Sequence, residues 1–590
     1  MTETHTLTHC DFTTLRLLLR MPISQMGVKG ETMQNTQSNK NMLLKSRRLL
    51  KNRRGLLLAP LLGLASLSVP AAAQRAAVPT PTTPSQPRVN QSGVNPGTSQ
   101  KAPSGEATPS TSGAGFQIVP ASPGDANTYK LVPDGAEGFK LVPASPTDAN
   151  TYKLVPTATS AAPTEATPQQ MYVGFQASTI TQHVFPFHSP YAGAESFLSR
   201  NETETTDTYT IYVGYRINKR LEAYVDPEIS KGHGLSTGYG LGGFTNGDVV
   251  RTPTLDQNPY LARYILRYVL PLGKETETVA QGESQLAGPR ATHRLVFWGG
   301  KMGVSDIFDV NRYANTTRTQ FMNWGLINCA AYDYAADTRG YSQGAAAEYI
   351  TPSFALRAGV FQMPKIANFI SLSSDYKNNF GSQVELELHP KFLATKAGPG
   401  IIRLLGYYNR AHMGDYRGSV TLAQQTGAPP DITATETTGN KKYGYVVGYE
   451  QPLADNGNTG LFGRVGYNDG KTEDFAYTEC DRIGSLGGQL SGTRWHRPND
   501  VFALAVEQND LSAAHKDYLA AGGSGFLLGD GQLNYGSERL LETYYNYQFS
   551  KHGAATTIFV TPDYQYIHNP GYNKDRGPVS VASFRVHLEF

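Results

Sequence analysis

The stretch TYTIYVGYRINKRLEAYVD, residues 208–226, decides the fold class of this chain. Its first ten residues alternate between a face of tyrosine, isoleucine and valine and a face that carries threonine, glycine and arginine. A period of two residues places successive side chains on opposite faces of a β-strand. The alternation resumes after the turn at 218–220, so the stretch predicts two antiparallel strands whose two faces meet different environments.

Segments with this alternation recur through residues 171–590, and they number sixteen. They are 171–183, 208–217, 221–229, 260–272, 293–304, 340–350, 354–362, 381–389, 400–411, 443–451, 461–468, 483–491, 501–507, 541–549, 555–566 and 581–590. Most approach the roughly 9–11 residues that a tilted strand needs to cross a membrane. The sequence therefore predicts an all-β fold, a transmembrane antiparallel β-barrel of about sixteen strands.

A large soluble β-sandwich or propeller is the alternative fold. Two features favour the membrane barrel. Tyrosine and phenylalanine are frequent near the strand ends, as in the aromatic girdles of such barrels, and the last strand ends on the aromatic residue Phe590. Closure has a physical reason, because an open sheet edge in lipid leaves backbone groups without hydrogen bonds.

The composition of the whole chain excludes several other classes of protein. Only 17% of the 590 residues are charged, against about 25% in soluble domains. The formal net charge of +3 gives no sign of the basic surface that a nucleic-acid-binding protein needs. Three cysteines in the chain exclude a disulfide scaffold, and the sequence does not determine whether Cys329 and Cys480 pair.

The region before the barrel divides into three parts. Residues 1–41 are interpreted as a leader, either unstructured or preceding the true start codon. Residues 42–73 combine basic residues, the apolar run 55–69 and the small residues Ala71-Ala72-Ala73, the order that marks a secretory signal peptide. A membrane anchor is the alternative for this segment. Fifteen prolines lie within residues 74–170, a composition that predicts a disordered linker.

The linker contains a duplicated motif. The eighteen residues 116–133 recur as 139–156 with fifteen identical positions. Two copies are too few for a solenoid. The motif is interpreted as a duplicated spacer, with a short binding motif as the alternative.

Six stretches across 171–590 carry a resemblance to a known family. They are YVDPE (224–228), GYGLGGFTNGD (238–248), GKMGVSDIFD (300–309), RTQFMNW (318–324), YNDGKT (467–472) and PDYQYIHNPG (562–571). Together they resemble the carbohydrate-selective, OprB-type porins of Gram-negative outer membranes. The proline-rich region 74–170 departs from the pattern of that family, in which the barrel begins soon after the signal peptide.

The resemblance implies passive, selective diffusion of glucose and similar sugars through the barrel. The polar faces of the predicted strands supply the candidate pore-lining and substrate-binding residues, together with Tyr212 and Arg585. They are Arg216, Glu222, Tyr224, Asp226, Glu228, Arg263, Arg267, Lys301, Arg357, Glu385, Glu387, Arg403 and Arg464. Rows of donors and acceptors can replace the hydration of a neutral sugar, and tyrosines can stack on its apolar ring faces. The lumen of sixteen strands is wide enough for water, so these residues are expected to be solvated.

The long segment 306–337 lacks alternation and follows a predicted strand. By resemblance to porins it folds into the lumen as the constriction, and Phe321, Met322 and Trp324 argue against an exposed surface loop. Its candidate residues are Asp306, Asp309, Arg312, Arg318, Gln320, Asn323 and Trp324.

Other functions remain as alternatives to the sugar channel. One is a general, non-selective porin, and another is an autotransporter or adhesin that displays 74–170. No catalytic constellation or metal-ligand spacing stands out among the thirteen histidines, so we expect neither an enzyme nor a cofactor or metal. The expected partners are mono- and oligosaccharides, outer-membrane lipid and the barrel-assembly machinery through Phe590, with no nucleic acid. The oligomeric state, monomer or trimer, stays open.

Overall fold

The computed structural model describes residues 168–249, 255, 257–549 and 556–590 in full. It also describes the backbone of 116–120, 129–133, 139–143 and 152–156. The predicted leader and signal peptide, and the rest of the predicted disordered linker up to residue 167, lie outside the described residues.

Sixteen strands of the described chain form one closed barrel. In chain order they are β5 (Met171–Val184), β6 (Glu202–Arg216), β7 (Leu221–Gly232), β8 (Tyr260–Pro271), β11 (Arg294–Met302), β12 (Ser342–Ile350), β13 (Phe354–Gln362), β14 (Phe380–Leu388), β15 (Ile401–Met413), β16 (Thr437–Ala454), β17 (Thr459–Asn468), β18 (Arg482–Ser491), β19 (Val501–Asp510), β20 (Glu538–Gln548), β21 (Thr557–His568) and β22 (Val579–Glu589). Each pairs antiparallel with its neighbours around the ring. The predicted fold class and strand number are confirmed, and a two-sheet sandwich is excluded.

The last strand closes the barrel against the first. β22 pairs with β5 from Val581 opposite Val184 to Glu589 opposite Gln176. Beyond the strand, the Phe590 and Phe175 backbones exchange two hydrogen bonds of 3.0 Å, and the two rings lie 5.8 Å apart. The terminal aromatic residue therefore belongs to the seam that leaves the sheet without an edge.

The two faces of the barrel wall differ as the alternation predicts. Large apolar side chains such as Ile211, Leu266 and Val384 are exposed on the outside. Their strand neighbours Thr210, Arg267 and Glu385 point inward and are buried. The apolar outer face is the surface that a membrane barrel presents to lipid.

The connections at the two ends of the barrel differ in length. Short turns such as 217–220 and 351–353 occupy one end, and loops such as 233–259, 303–341, 414–436, 469–481 and 511–537 occupy the other. One turn at the short-turn end, 272–293, is longer and forms a hairpin of β9 (Thr276–Val279) and β10 (Gly288–Ala291). We call it the turn hairpin.

Helices occur only between strands in the described part of the chain. The α-helices are α1 (Trp324–Ile327), α2 (Tyr416–Thr426) and α3 (Ala513–Ala520), and the others are 3₁₀-helices of three or four residues. None of these described helices has the length and apolar character to cross a membrane.

The duplicated motif forms a sheet of its own. The first copy contributes β1 (Phe116–Pro120) and β2 (Tyr129–Pro133), and the second contributes β3 (Phe139–Pro143) and β4 (Tyr152–Pro156). The strand order is β1-β4-β2-β3. The sequence analysis predicted no strands here.

Candidate functional site

The loop 303–341, which we call the constriction loop, folds into the barrel and is anchored there by Arg464. The Nε of Arg464 on β17 lies 2.9 Å from Asp309 Oδ1, and its guanidinium also donates to the carbonyl oxygens of Leu326 and Ala314 at 2.8 Å each. Asp309 adopts a left-handed backbone with φ of +54°, and its second oxygen accepts from the Cys329 amide at 2.6 Å. One buried charge pair thus fixes both halves of the loop.

Aromatic packing holds the far side of the constriction loop against the wall. Phe321 lies between Phe462, 5.6 Å away, and Tyr544, 5.0 Å away and edge-on. Trp324 contacts Tyr477 at 5.0 Å. Burial of one such side chain is worth about 1.5–3 kcal/mol, so this part of the loop is a packed core. The prediction that these aromatic residues are not exposed is confirmed.

A second loop, 233–259, joins the constriction loop from the neighbouring wall. The Gly247 amide donates to the Met322 carbonyl, and the Trp324 amide donates to the Phe244 carbonyl, both at 2.9 Å. A side chain at Gly247 would come within 2.2 Å of Thr317 Oγ1, so the approach of the two loops requires glycine here. The described part of this second loop therefore packs directly against the constriction loop.

The first turn of the constriction loop is tied to strand β8 by Arg263. Its Nε lies 2.7 Å from Asp306 Oδ2 and its Nη2 lies 2.7 Å from Asp306 Oδ1. The Arg263 guanidinium also lies 3.8 Å from Asp226 and 5.3 Å from the centre of the Tyr341 ring. Such two-point arginine–carboxylate pairs fix geometry as well as charge.

Arg318 makes a second charged contact nearby. It lies 2.9 Å from Glu228 and 3.3 Å from Asp248 of the second loop. Burial alone would lower the pKa of Arg318, but Asp248 and Glu228 raise it well above its ordinary value, so the guanidinium stays charged. Glu228 also accepts from the hydroxyls of Tyr260 at 2.5 Å and Tyr341 at 3.0 Å.

The turn hairpin extends from the opposite end of the barrel and also contacts Arg263. Glu283 Oε2 lies 3.5 Å from Arg263 Nη2, and Tyr212 donates to Glu283 Oε1 at 3.2 Å. Half of the Glu283 side chain, 51%, is exposed, and Asp306 is 20% exposed. We define the constriction cluster as the six residues Arg263, Arg318, Glu228, Asp248, Asp306 and Glu283. Two guanidinium groups face four carboxylates in it.

Four of the predicted site residues meet in this cluster: Glu228, Arg263, Asp306 and Arg318. Asp226 lies beside them but is fully buried. Lys301 lies close by, 3.5 Å from Asp337 of the constriction loop and 5.6 Å from the Tyr341 ring.

A second set of predicted residues is covered by the turn hairpin. Glu222 is fully buried and pairs with Arg216 at 3.0 Å and with Arg290 of the hairpin. Tyr224 donates to Glu222 at 2.8 Å and accepts from the Leu286 amide of the hairpin at 3.1 Å. Because its ring is only 1% exposed, the expectation that Tyr224 is free to stack on a sugar is corrected. Arg267 lies over the Trp298 ring, 4.6 Å from its centre.

A third set forms an ion-pair ladder on the inner wall. Arg357 lies 2.9 Å from each of Glu348, Glu385 and Glu387. Arg403 lies 3.1 Å from Glu387 and pairs also with Glu450. The sequence analysis treated these inward charges as solvated. That expectation is wrong for this set, because the four carboxylates and Arg403 are buried and each carboxylate is paired with an arginine.

The remaining predicted residues shape the constriction loop itself. Arg464 and Asp309 form the buried anchor, so Arg464 does not line open space. Gln320 accepts from the Asn315 amide at 2.7 Å and donates to the Arg312 carbonyl at 2.7 Å. Asn323 caps α1 by accepting from the Gly325 amide at 2.9 Å. Arg585 is buried and donates to the Gln320 carbonyl at 2.8 Å.

Sequence reasoning missed Asp248, Glu283 and Tyr341. Asp248 lies in the stretch 238–248 that carried the family resemblance, but no alternation marked its direction. Glu283 had one signal, the unusual length of the turn 272–293 among short turns. Cys329 and Cys480 are both buried and free.

A comparison with known protein families agrees with the barrel and its inward loop. Residues 219–590 match the family described as carbohydrate-selective porin, OprB family. The chain belongs to that family. It is therefore an outer-membrane sugar porin, whose short turns face the periplasm and whose longer loops face outward. Family and fold point to a channel rather than to an enzyme.

Several solved structures are similar to this OprB-family porin. The high-pH structure of Pseudomonas putida OprB matches at 16% identity with a TM-score of 0.54, and the match covers 71% of this chain and 94% of that chain. The low-pH structure of the same protein matches at 14% identity with a TM-score of 0.36, covering 71% and 93%. Salmonella typhi OmpF in complex with daunomycin matches at 12% identity with a TM-score of 0.36, covering 72% and 98%. Among curated proteins, none matches the sequence.

Proposed function

We propose that the constriction cluster is the selective filter through which this porin admits neutral sugars by passive diffusion. The arrangement that carries the proposal is the contact of three separate elements around Arg263: the constriction loop at Asp306, the turn hairpin at Glu283 and the wall at Asp226. Guanidinium donors and carboxylate acceptors alternate there, so a polyol can exchange its water molecules for protein groups stepwise.

The charge balance of the cluster supports a preference among sugars. Four carboxylates outnumber two guanidinium groups, so the net charge of the cluster is negative. A negatively charged passage repels anionic permeants. Neutral sugars pay no such penalty. We therefore expect sugar acids to pass more slowly than neutral sugars of similar size.

The outer face and the C-terminus support proposals about membrane assembly. The exposed apolar residues of the strands contact outer-membrane lipid. Phe590, paired with Phe175 in the closing seam, serves as the signal for the barrel-assembly machinery.

The region before the barrel has two proposed roles. Residues 42–73 direct export, and 74–170 act as a periplasmic spacer. Protection of the repeats from protease added to intact cells supports the spacer, and cleavage contradicts it by favouring display.

Two arginines on one strand offer a matched test of the filter. Arg263 and Arg267 lie four residues apart on the inner face of β8, but only Arg263 belongs to the cluster, because Arg267 stacks on Trp298. Arg263→Ala should change single-channel conductance and its block by sugars, and Arg267→Ala should change neither.

Swelling of liposomes containing the purified porin measures the outcome, with glucose, a disaccharide, a sugar acid and an amino acid of similar mass. Equal effects of the two variants would contradict the placement of the filter. Equal passage of glucose and the amino acid would reduce the protein to a general porin.

A further inference from the structure

A buried group of metal-ligating side chains lies between the extracellular loops, away from the constriction cluster. Asp474 and Asp481 belong to the loop 469–481, and His515 lies on α3 in the loop 511–537. One ligand atom from each of the three lies within 4.8 Å of the others. All three side chains are completely buried. Carboxylate oxygen and imidazole nitrogen are ligands that first-row divalent metals accept together.

Several polar atoms of this group have no hydrogen-bond partner within the described part of the chain. They are Asp474 Oδ2, Asp481 Oδ1, His515 Nε2 and the nearby Glu479 Oε1. A buried carboxylate oxygen without a partner is costly. Asp474 and Asp481, on the Nδ1 side of the His515 ring, therefore each leave a carboxylate oxygen without a partner beside the same imidazole, which is the electronic requirement for a bound cation.

The local charge also lacks balance. Lys442 pairs with Asp474 and lies 3.8 Å from Asp333. It is the one ammonium group that faces Asp333, Asp474 and Asp481 in the described structure around it. Buried charges are tolerated when they are paired or coordinate a metal. A divalent cation would supply most of the missing positive charge.

The surrounding contacts hold the three side chains in place. Asp481 Oδ2 accepts from the Ser512 amide at 2.7 Å and lies 3.2 Å from His515 Nδ1. Glu479 Oε2 accepts from the amides of Leu527 and Leu528 at 2.7 Å each, while its free Oε1 lies 3.7 Å from His515 Nε2. A carboxylate behind the second ring nitrogen is the usual way in which a metal-binding histidine is oriented.

We propose that Asp474, Asp481 and His515 bind one divalent metal ion of the first transition row, such as Zn²⁺. The ion bonds to His515 through Nδ1, and the Glu479 carboxylate lies on the Nε2 side of the ring. It joins the loop 469–481 to α3. Asp333 of the constriction loop accepts from the Phe475 and Ala476 amides next to Asp474 at 2.9 and 2.7 Å, so the metal also stabilises the position of the constriction loop. No spacing motif revealed the site, because its ligands come from two loops.

Metal content of the full-length porin tests the proposal. The chain is refolded into detergent in the presence of Co²⁺ and freed of loose metal by gel filtration. We expect about one Co²⁺ per chain, with the visible absorption of nitrogen and oxygen ligands. Heat resistance of the folded barrel should rise relative to protein refolded with a chelator, because a ligand that binds only the folded state stabilises it.

Variants separate the site from unspecific binding. Asp474→Asn and His515→Gln should each lose the bound Co²⁺ and its spectrum. His412→Gln is the matched control, since His412 lies 3.0 Å from one carboxylate only, that of Glu436, at the same end of the barrel, and it should keep the metal.

The rival explanation is that protons, not a metal, satisfy the carboxylates. Two results would contradict the metal site and favour protonation. One is folded wild-type protein that binds much less than one Co²⁺ per chain, and the other is equal Co²⁺ binding by the wild type and both variants. If His515→Gln fails to fold, the wild-type stoichiometry and the Asp474→Asn variant still decide.

Discussion

Arg263 and Asp306 form a two-point ion pair in which both contacts measure 2.7 Å. The pair joins strand β8 of the rigid wall to the first turn of the constriction loop. Because the rest of that loop is anchored separately at Arg464, the pair holds only the first turn of the loop, at the proposed filter. This division allows the width of the passage to be altered without unfolding the loop.

Asp306→Ala should widen the passage. Without the carboxylate, Arg263 loses its two strongest contacts and the first turn of the loop loses its attachment to β8. The swelling rate with a disaccharide should rise relative to that with glucose. Asp375→Ala, an exposed carboxylate in the loop 363–379, is the control and should leave the ratio unchanged. An unchanged ratio in Asp306→Ala would mean that this pair does not limit size.

Glu283→Gln should relax the discrimination against sugar acids. The side chain is half exposed at the passage, and removal of one charge there changes the energy of a passing anion by about 1 kcal/mol, roughly fivefold in rate. Relative swelling rates with glucose and glucuronate measure the effect. Glu275→Gln, exposed at the base of the same hairpin, should behave as wild type. Identical behaviour of both variants would remove Glu283 from the filter.

Arg464→Ala should destabilise the folded porin strongly. It leaves Asp309 buried without its partner and removes donors from four loop carbonyls, and the loss of one partner of a buried ion pair costs about 3–5 kcal/mol. The temperature at which the barrel loses its compact mobility in detergent electrophoresis should fall. Arg539→Ala, exposed on β20, should leave that temperature close to wild type. A small effect at Arg464 would contradict its role as the anchor.

Glu195 in the loop 185–201 gives a pH-dependent prediction. Burial raises its pKa to about 7. A carboxyl whose pKa is higher in the folded than in the unfolded state favours folding while it is protonated, so its contribution is present at low pH and is lost as the pH rises through about 7. The two states bind different numbers of protons only between the ordinary pKa of 4.5 and the raised pKa of about 7, so protease cleavage of this loop should accelerate as the pH rises through that range.

Glu195→Gln should abolish that acceleration, because the amide stays neutral. Glu204→Gln, at the same end of the barrel, should preserve it. Cleavage rates measured across this pH range compare the three proteins, and a wild-type rate independent of pH would refute the role of Glu195.

The strands could be predicted from the sequence because lipid and the polar interior impose opposite demands on successive side chains. Beyond the lipid-facing part of a strand, the alternation of apolar and polar residues is lost. Strand β6 begins at Glu202, six residues before the alternation at 208 became clear, and β16 begins at Thr437 instead of 443. These extensions rise beyond the apolar belt and are polar on both faces, so period and composition no longer reveal them.

The candidate site could be predicted only in part, for a related reason. The two-residue period of the strands predicted that Arg263, Glu228 and Arg464 point inward. It did not reveal which of the inward charges a loop would cover. Arg263 lies in the constriction cluster beside the half-exposed Glu283, whereas Arg464 lies beneath the constriction loop. The difference arises from how two loops and the turn hairpin pack together, and that packing depends on contacts between residues far apart in sequence.

The sheet of the duplicated motif makes each copy depend on the other. β1 of the first copy pairs with β4 of the second, and β3 of the second pairs with β2 of the first. A chain that carried one copy could form the same pairs only with another molecule. Because both copies lie in one polypeptide, the sheet forms within a single chain.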